Sequence, residues 1–159
     1  MLSVARIPLL IGTHLFAAVV GFALGIYALP ILTAPDAPGV EAVRTAAERA
    51  LYTGEFRRDL ADSDLLHWGE GTIYVGSDHI ALDGRLAPGP DYRLYLSPEF
   101  VETEGAFEEL KSRMAQIGLI RTFEGFVLAV PDSIDPADFN TAIVWCETFG
   151  EFITAAAYQ

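Results

Sequence analysis

The chain has a single cysteine, Cys146, and no second thiol to pair with it. An intramolecular disulfide is excluded, which leaves the thiol four roles: an inert core residue, a reactive group, half of a bond between chains, or a ligand. Basic residues are also scarce, ten against 22 acidic ones. From Asp36 onward all 22 acids face nine bases, so that part carries 22 minus nine, a net charge near −13. Such a body repels phosphate backbones and anionic headgroups, which excludes nucleic acid and favours cationic or neutral partners. The sequence has no nucleophile elbow, phosphate loop, H-E-x-x-H motif or kinase signature, so those enzyme classes are set aside.

Charge is absent altogether from Ile7 to Leu32. At about 1.5 Å per helical residue this run exceeds the roughly 30 Å hydrocarbon core of a bilayer. A cleaved signal peptide is the rival reading, since Arg6 supplies a minimal basic n-region. The run is longer than a typical apolar signal core, and no small-residue cleavage site follows Leu29, so an uncleaved signal anchor is expected. Arg6 lies at one end, and Asp36 and Glu41 at the other before any further basic residue, which puts the N-terminus inside. The expected organisation is a cytoplasmic N-terminus at 1–6, a transmembrane anchor at 7–32, a helical linker at 33–51 and an extracytoplasmic domain at 52–159. In a bacterial-type envelope this is a single-pass inner-membrane protein with its body in the periplasm or outside the cell.

Within the linker, Val40, Val43 and Ala47 have helical spacing. After Thr53 the texture changes to short apolar runs separated by glycine and proline. Strands are predicted at Gly54–Phe56, Gly71–Val75, His79–Leu82, Tyr92–Leu96, Phe126–Val130, Thr141–Phe149 and Phe152–Tyr158. Tyr92, Leu94 and Leu96 would share one face of a half-buried strand, with Arg93 and Tyr95 on the other. Thr141–Phe149 is apolar on both faces, Ile143, Trp145 and Phe149 against Ala142, Val144 and Cys146, and reads as central. Phe107, Leu110 and Met114 predict one helix over about Glu104–Gln116, with Ser97-Pro98 as a cap signal before it. The fold class is therefore all-β, an antiparallel β-sandwich with one helical insertion behind a transmembrane helix.

Several short motifs occur in a fixed order: Gly54-Glu55-Phe56; His67 ahead of Gly69-Glu70-Gly71-Thr72; Gly89-Pro90-Asp91-Tyr92 running to Leu96-Ser97; Ile117-Gly118-Leu119; Gly125; Val130-Pro131; and Ile143-Val144-Trp145-Cys146 with Phe149, Phe152 and Ala155. The series resembles the DM13 (DM-thirteen) domain family over about Tyr52 to Tyr158. The resemblance implies an extracytoplasmic β-sandwich with one signature cysteine, here Cys146. It also implies electron transfer through that cysteine, as a bare thiol or by holding a prosthetic group such as haem. The helical insertion after Ser97 departs from the family pattern. No haem or flavin module shares the chain, so the redox partner would be an envelope protein.

Taken alone, Cys146 sits in an apolar run beside Glu147, where burial and a negative neighbour both raise a thiol's pKa and favour an inert role. His67 is the better candidate for a second, non-covalent haem ligand, because thiolate and imidazole are both competent axial ligands and no C-x-x-C-H motif is present. A turn histidine is its bland alternative, as for His79. His14 lies inside the hydrophobic run, near enough to its cytoplasmic end to reach the interface. Asp59, Asp62 and Asp64, and Asp132, Asp135 and Asp138, lack an EF-hand pattern and read as solvated turns rather than Ca²⁺ sites. Gly21 and Gly25 form a small-xxx-small motif through which the anchor could homodimerise. The rival to electron transfer is a non-catalytic interaction module that binds an envelope protein or glycan.

Overall fold

The structure, a computed structural model, describes residues 6–159, so of the N-terminal tail expected at 1–6 all but Arg6 lies outside the described residues. The charge-free run forms one helix, α1 (Arg6–Thr33), long and apolar enough to cross a membrane and with none of its residues buried by the protein. His14 satisfies one ring nitrogen within that helix, 2.7 Å from the Leu10 carbonyl one turn back.

The linker forms α2 (Val40–Glu48). It does more than connect. Ala46 is buried and Arg49 pairs with Asp78 at 2.5 Å, so α2 lies on the body of the domain. The expected stripe is rotated in the structure: Val43 and Ala47 are half-buried beside Ala46, whereas Val40 stays in solvent.

Eight strands follow: β1 (Tyr52–Phe56), β2 (Gly69–Val75), β3 (His79–Leu86), β4 (Tyr92–Ser97), β5 (Ala115–Ile120), β6 (Phe126–Ala129), β7 (Thr141–Cys146) and β8 (Glu151–Ala157). They make two antiparallel four-stranded sheets, ordered β1-β2-β3-β6 and β5-β4-β7-β8. The core lies between them, with Ile73, Ile80, Leu82 and Phe126 from one sheet meeting Leu94, Leu96, Val144 and Ile153 from the other. Along the β1–β8 side the sheets nearly touch, since a Cβ on Gly54 would come 2.5 Å from the Ala157 carbonyl oxygen. Only glycine fits there.

Both outer faces are partly covered. The row Tyr74, Ala81 and Val127 is in register across β2, β3 and β6, and α2 packs over it. On the other sheet, α3 (Glu104–Leu110) lays Phe107 against Trp145, with ring centroids 3.9 Å apart and planes 11° from parallel. Tyr95, Val101, Ile143 and Phe152 join this second cluster.

Three expectations are corrected by this packing. Tyr92–Leu96 is not half-buried, because β4 lies inside its sheet and α3 buries Tyr95 on the outer face. The helical insertion ends early: a single 3-10 turn at Lys111–Arg113 leads to Met114 in extended conformation and then to β5, which pairs with β4. Its N-cap is Thr103, whose Oγ1 accepts from the Ala106 amide at 3.3 Å, and not Ser97-Pro98. The Ser97 hydroxyl instead donates to the Glu99 carbonyl at 2.6 Å. Finally, β7 stops at Cys146, and Phe149 stands half in solvent on the turn beyond it.

Candidate functional site

Cys146 is the last residue of β7, on the face it shares with Ala142 and Val144 between the two sheets, and pairs across the ladder with Tyr92 of β4. It is 2% exposed. Immediately after it the chain makes one tight turn. The Gly150 amide donates to the Cys146 carbonyl at 2.9 Å, and Gly150 closes the turn with φ +68°, a conformation costly for any residue with a Cβ.

That turn places Cys146 where a helix N-cap residue would stand, with the amides of Thr148 and Phe149, two and three residues later, close enough to act on its thiol. Burial pushes the thiol above its ordinary pKa. The N–H groups of Phe149, Asp91 and Thr148 act the other way, while the Asp91 charge adds to the rise. Glu147, the acid next in sequence, is not the negative neighbour. Its carboxylate lies on the outer face, where it accepts from the Tyr95 hydroxyl and from Lys111 Nζ at 3.0 Å. Burial would raise that carboxyl, but hydrogen bonds from Tyr95 and Lys111 and the nearby cations hold it below the usual range.

Cys146 forms part of the floor of a cleft of about 300 Å³. Tyr92 and Ile153 lie beside it, Leu66 and Phe149 stand among the walls, and His67 reaches in from the loop before β2. The two candidates chosen from sequence, Cys146 and His67, thus line one cavity although they are far apart in the chain. Asp64 sets the histidine: Oδ1 accepts from the Leu66 and His67 amides at 2.7 and 2.8 Å, and Oδ2 lies 3.2 Å from His67 Nδ1. A carboxylate on one ring nitrogen leaves the other free to accept a hydrogen bond, as in metal-ligating histidines. The Gly89-Pro90-Asp91 block explains Tyr92. A Cβ on Gly89 would come within 2.4 Å of the Tyr92 ring, so glycine lets the loop lie against it. Asp91 then ties β4 to the turn, accepting from Arg93 Nε at 3.1 Å and from the Thr148 hydroxyl at 3.2 Å.

Among the described residues no three His, Cys, Asp or Glu side chains converge to hold a metal.

The remaining candidates lie elsewhere. His79 sits beside Asp78 at 3.3 Å, next to α2. Asp62 accepts from the Glu104 amide at 2.7 Å, which ties its loop to the start of α3, and Asp135 accepts from the Ala137 amide at 3.0 Å, which closes a local turn. Gly21 and Gly25 are open, with nothing within 4 Å of an added Cβ. Sequence reasoning missed Asp64, Tyr92 and the turn amides as parts of the site. The spacing of Asp64 three residues before His67, and the glycine three before Tyr92, were the signals available.

The profile of one family, described as Electron transfer DM13, matches residues 59–158. No curated protein and no solved structure matches the chain significantly. The match runs from the loop that carries Asp64 and His67, through the Gly89-Pro90-Asp91 block and the β7 cysteine, to the end of β8, and the chain belongs to the DM13 family of electron-transfer domains.

Proposed function

We propose that this protein is a membrane-anchored electron-transfer component whose working group is Cys146, as a thiol or as the ligand of a prosthetic group. The observation that carries the reading is the shared cleft: the one cysteine and a carboxylate-oriented histidine, His67, open onto the same apolar cavity in a domain of an electron-transfer family. In this reading α1 is the anchor, the N-terminus is cytoplasmic, and the sandwich works on the outer side of the inner membrane. If the group is a haem, Cys146 and His67 would hold it, and it would supply a one-electron couple. The protein's own part is to exclude water with the cleft walls, to offset part of the burial cost of a thiolate through the amides of Thr148, Phe149 and Asp91, and to fix the imidazole through Asp64. The redox partner is an envelope protein or a smaller carrier that reaches the cleft.

The second reading, a non-catalytic interaction module, draws on the burial of Cys146 and the raised pKa of its thiol, both of which suit an inert core residue. The full chain, purified from membranes of a haem-replete host, separates the two by its visible spectrum and by potentiometric titration. A couple or a bound chromophore that disappears in Cys146→Ser, with the domain still folded, is the expected result. A colourless protein with no couple and a thiol inert to maleimide would leave the interaction module standing.

A further inference from the structure

The cleft over Cys146 has an unusual wall. Besides domain residues it is lined by Ala23, Ile26 and Tyr27 of α1, the helix read as the membrane anchor. Their depth follows from length. Arg6 holds the inner end at an interface, and from there to Phe22 the helix has roughly 17 residues, or about 25 Å. The hydrocarbon core needs about 30 Å, so α1 completes its crossing only near Ile26. The residues of α1 that line the cleft are therefore at the outer edge of the bilayer, and Tyr27 stands at the level where interfacial tyrosines collect.

The domain side of the mouth is built for the same place. Leu66 is 57% exposed and Phe149 51%, two large apolar side chains at the cleft in a domain that is otherwise strongly acidic, and Leu65, next to Leu66 in the chain, is 94% exposed. In water each is a cost without return, but at a bilayer interface they bury apolar area beside the point where the anchor leaves the membrane. Inside, the polar groups are few: the Tyr92 phenol, His67, the Cys146 thiol and Glu151. Among the described residues neither Tyr92 Oη nor His67 Nε2 has a hydrogen-bond partner, so the cleft offers a phenol donor and an imidazole acceptor among apolar walls.

We propose that this cleft is a binding site for a lipid-dissolved carrier of the quinone class, entered from the outer leaflet between α1 and the Leu66/Phe149 rim. A quinone ring carries oxygens that accept from Tyr92 when oxidised and donate to His67 when reduced, and its apolar tail lies along α1 in the lipid. The ligand class rests on the electron-transfer and anchoring readings above; the depth argument rests on α1 alone.

The test uses the full chain in phosphatidylcholine nanodiscs, with a decyl-tailed benzoquinone and the same ring without its tail as probes. Binding is read as protection of Cys146 from a small alkylating reagent and as quenching of Trp68, the neighbour of His67. The tailed quinone should slow alkylation at least tenfold at micromolar concentration, and the tail-less ring should do so only at far higher concentration. Leu66→Glu and Phe149→Glu should each lose most of that protection, while Val40→Glu, on the exposed side of α2, should keep it. No protection in wild type, equal protection by the two probes, or rim variants that bind like wild type would each overturn the proposal. If wild type shows a redox couple but no protection, this inference fails and the electron-transfer reading stands. Protection without any couple has the opposite meaning.

Discussion

Replacing Cys146 by serine and by alanine separates two pictures of its surroundings. If the sulfur only fills a gap between the sheets, alanine should be the milder change, because a serine hydroxyl without a partner in an apolar core costs about 1–3 kcal/mol. The turn after β7 argues for the reverse. Cys146 occupies an N-cap-like position, closed by the bond from the Gly150 amide to its carbonyl at 2.9 Å, and the amides of Thr148 and Phe149 face its side chain. A serine Oγ is a better acceptor for those amides than sulfur, so the hydroxyl is satisfied. Alanine leaves them without a partner, which at a capping position costs about 1 kcal/mol, within a range of roughly 0.5–2. Both variants lose the packing of the sulfur, and that loss cancels in the comparison.

Serine should therefore be more stable than alanine by about 1 kcal/mol. With a denaturant slope of roughly 1.5 kcal/mol per molar urea for a domain of this size, their midpoints should lie about 0.7 M apart. The measurement is urea unfolding of the full chain in a mild non-ionic detergent, followed by the fluorescence of Trp145, which is buried against Phe107. An alanine variant equal to or more stable than serine would refute the capping geometry. With it would go the claim that these amides can stabilise a thiolate.

Two further outcomes follow from the same packing. Because burial raises the Cys146 thiol above its ordinary value of 9.0, the unfolded chain releases that proton first as pH rises and the folded state loses stability, by up to about 1.4 kcal/mol per pH unit. Urea midpoints of wild type should fall relative to Cys146→Ser from about pH 9 upward, a comparison that cancels the loss which the raised phenols of Tyr92, Tyr95 and Tyr158 add to both proteins near pH 10; parallel curves would contradict a buried neutral thiol. Phe107→Ala should cost about 3–5 kcal/mol and shift Trp145 emission to the red, since Phe107 is fully buried and stacked on that indole; a loss under 1 kcal/mol would mean that α3 is not held there.

The sandwich was legible where local pattern and tertiary environment agree. Runs such as Ile73–Val75 and Phe126–Ala129 are apolar, short and bounded by glycine or proline, and they became strands. β5 was missed because the helical spacing of Phe107, Leu110 and Met114 runs on into it, and nothing local reveals that β4 has a free edge waiting for Ala115–Ile120. The position of α2 was hidden for a similar reason: the row Tyr74, Ala81 and Val127 that it covers is assembled from three strands.

The site shows the limit most clearly. Alternation along β7 correctly divided Ala142, Val144 and Cys146 from Ile143 and Trp145, since neighbouring side chains of a strand point to opposite faces. It could not say which set faces the other sheet. With α3 covering the outer side, both faces are apolar, and a strand buried on both sides carries no polarity by which to orient it. The answer depends on Tyr92 pairing with Cys146 some fifty residues away, and on Phe107 arriving from an insertion. Had β7 been turned over, Cys146 would lie under α3 beside Lys111, where a cation lowers a thiol's pKa, and Trp145 would take its place in the cleft. The chemistry available to the lone cysteine is therefore decided by the parity of one strand, and that parity is fixed by long-range packing.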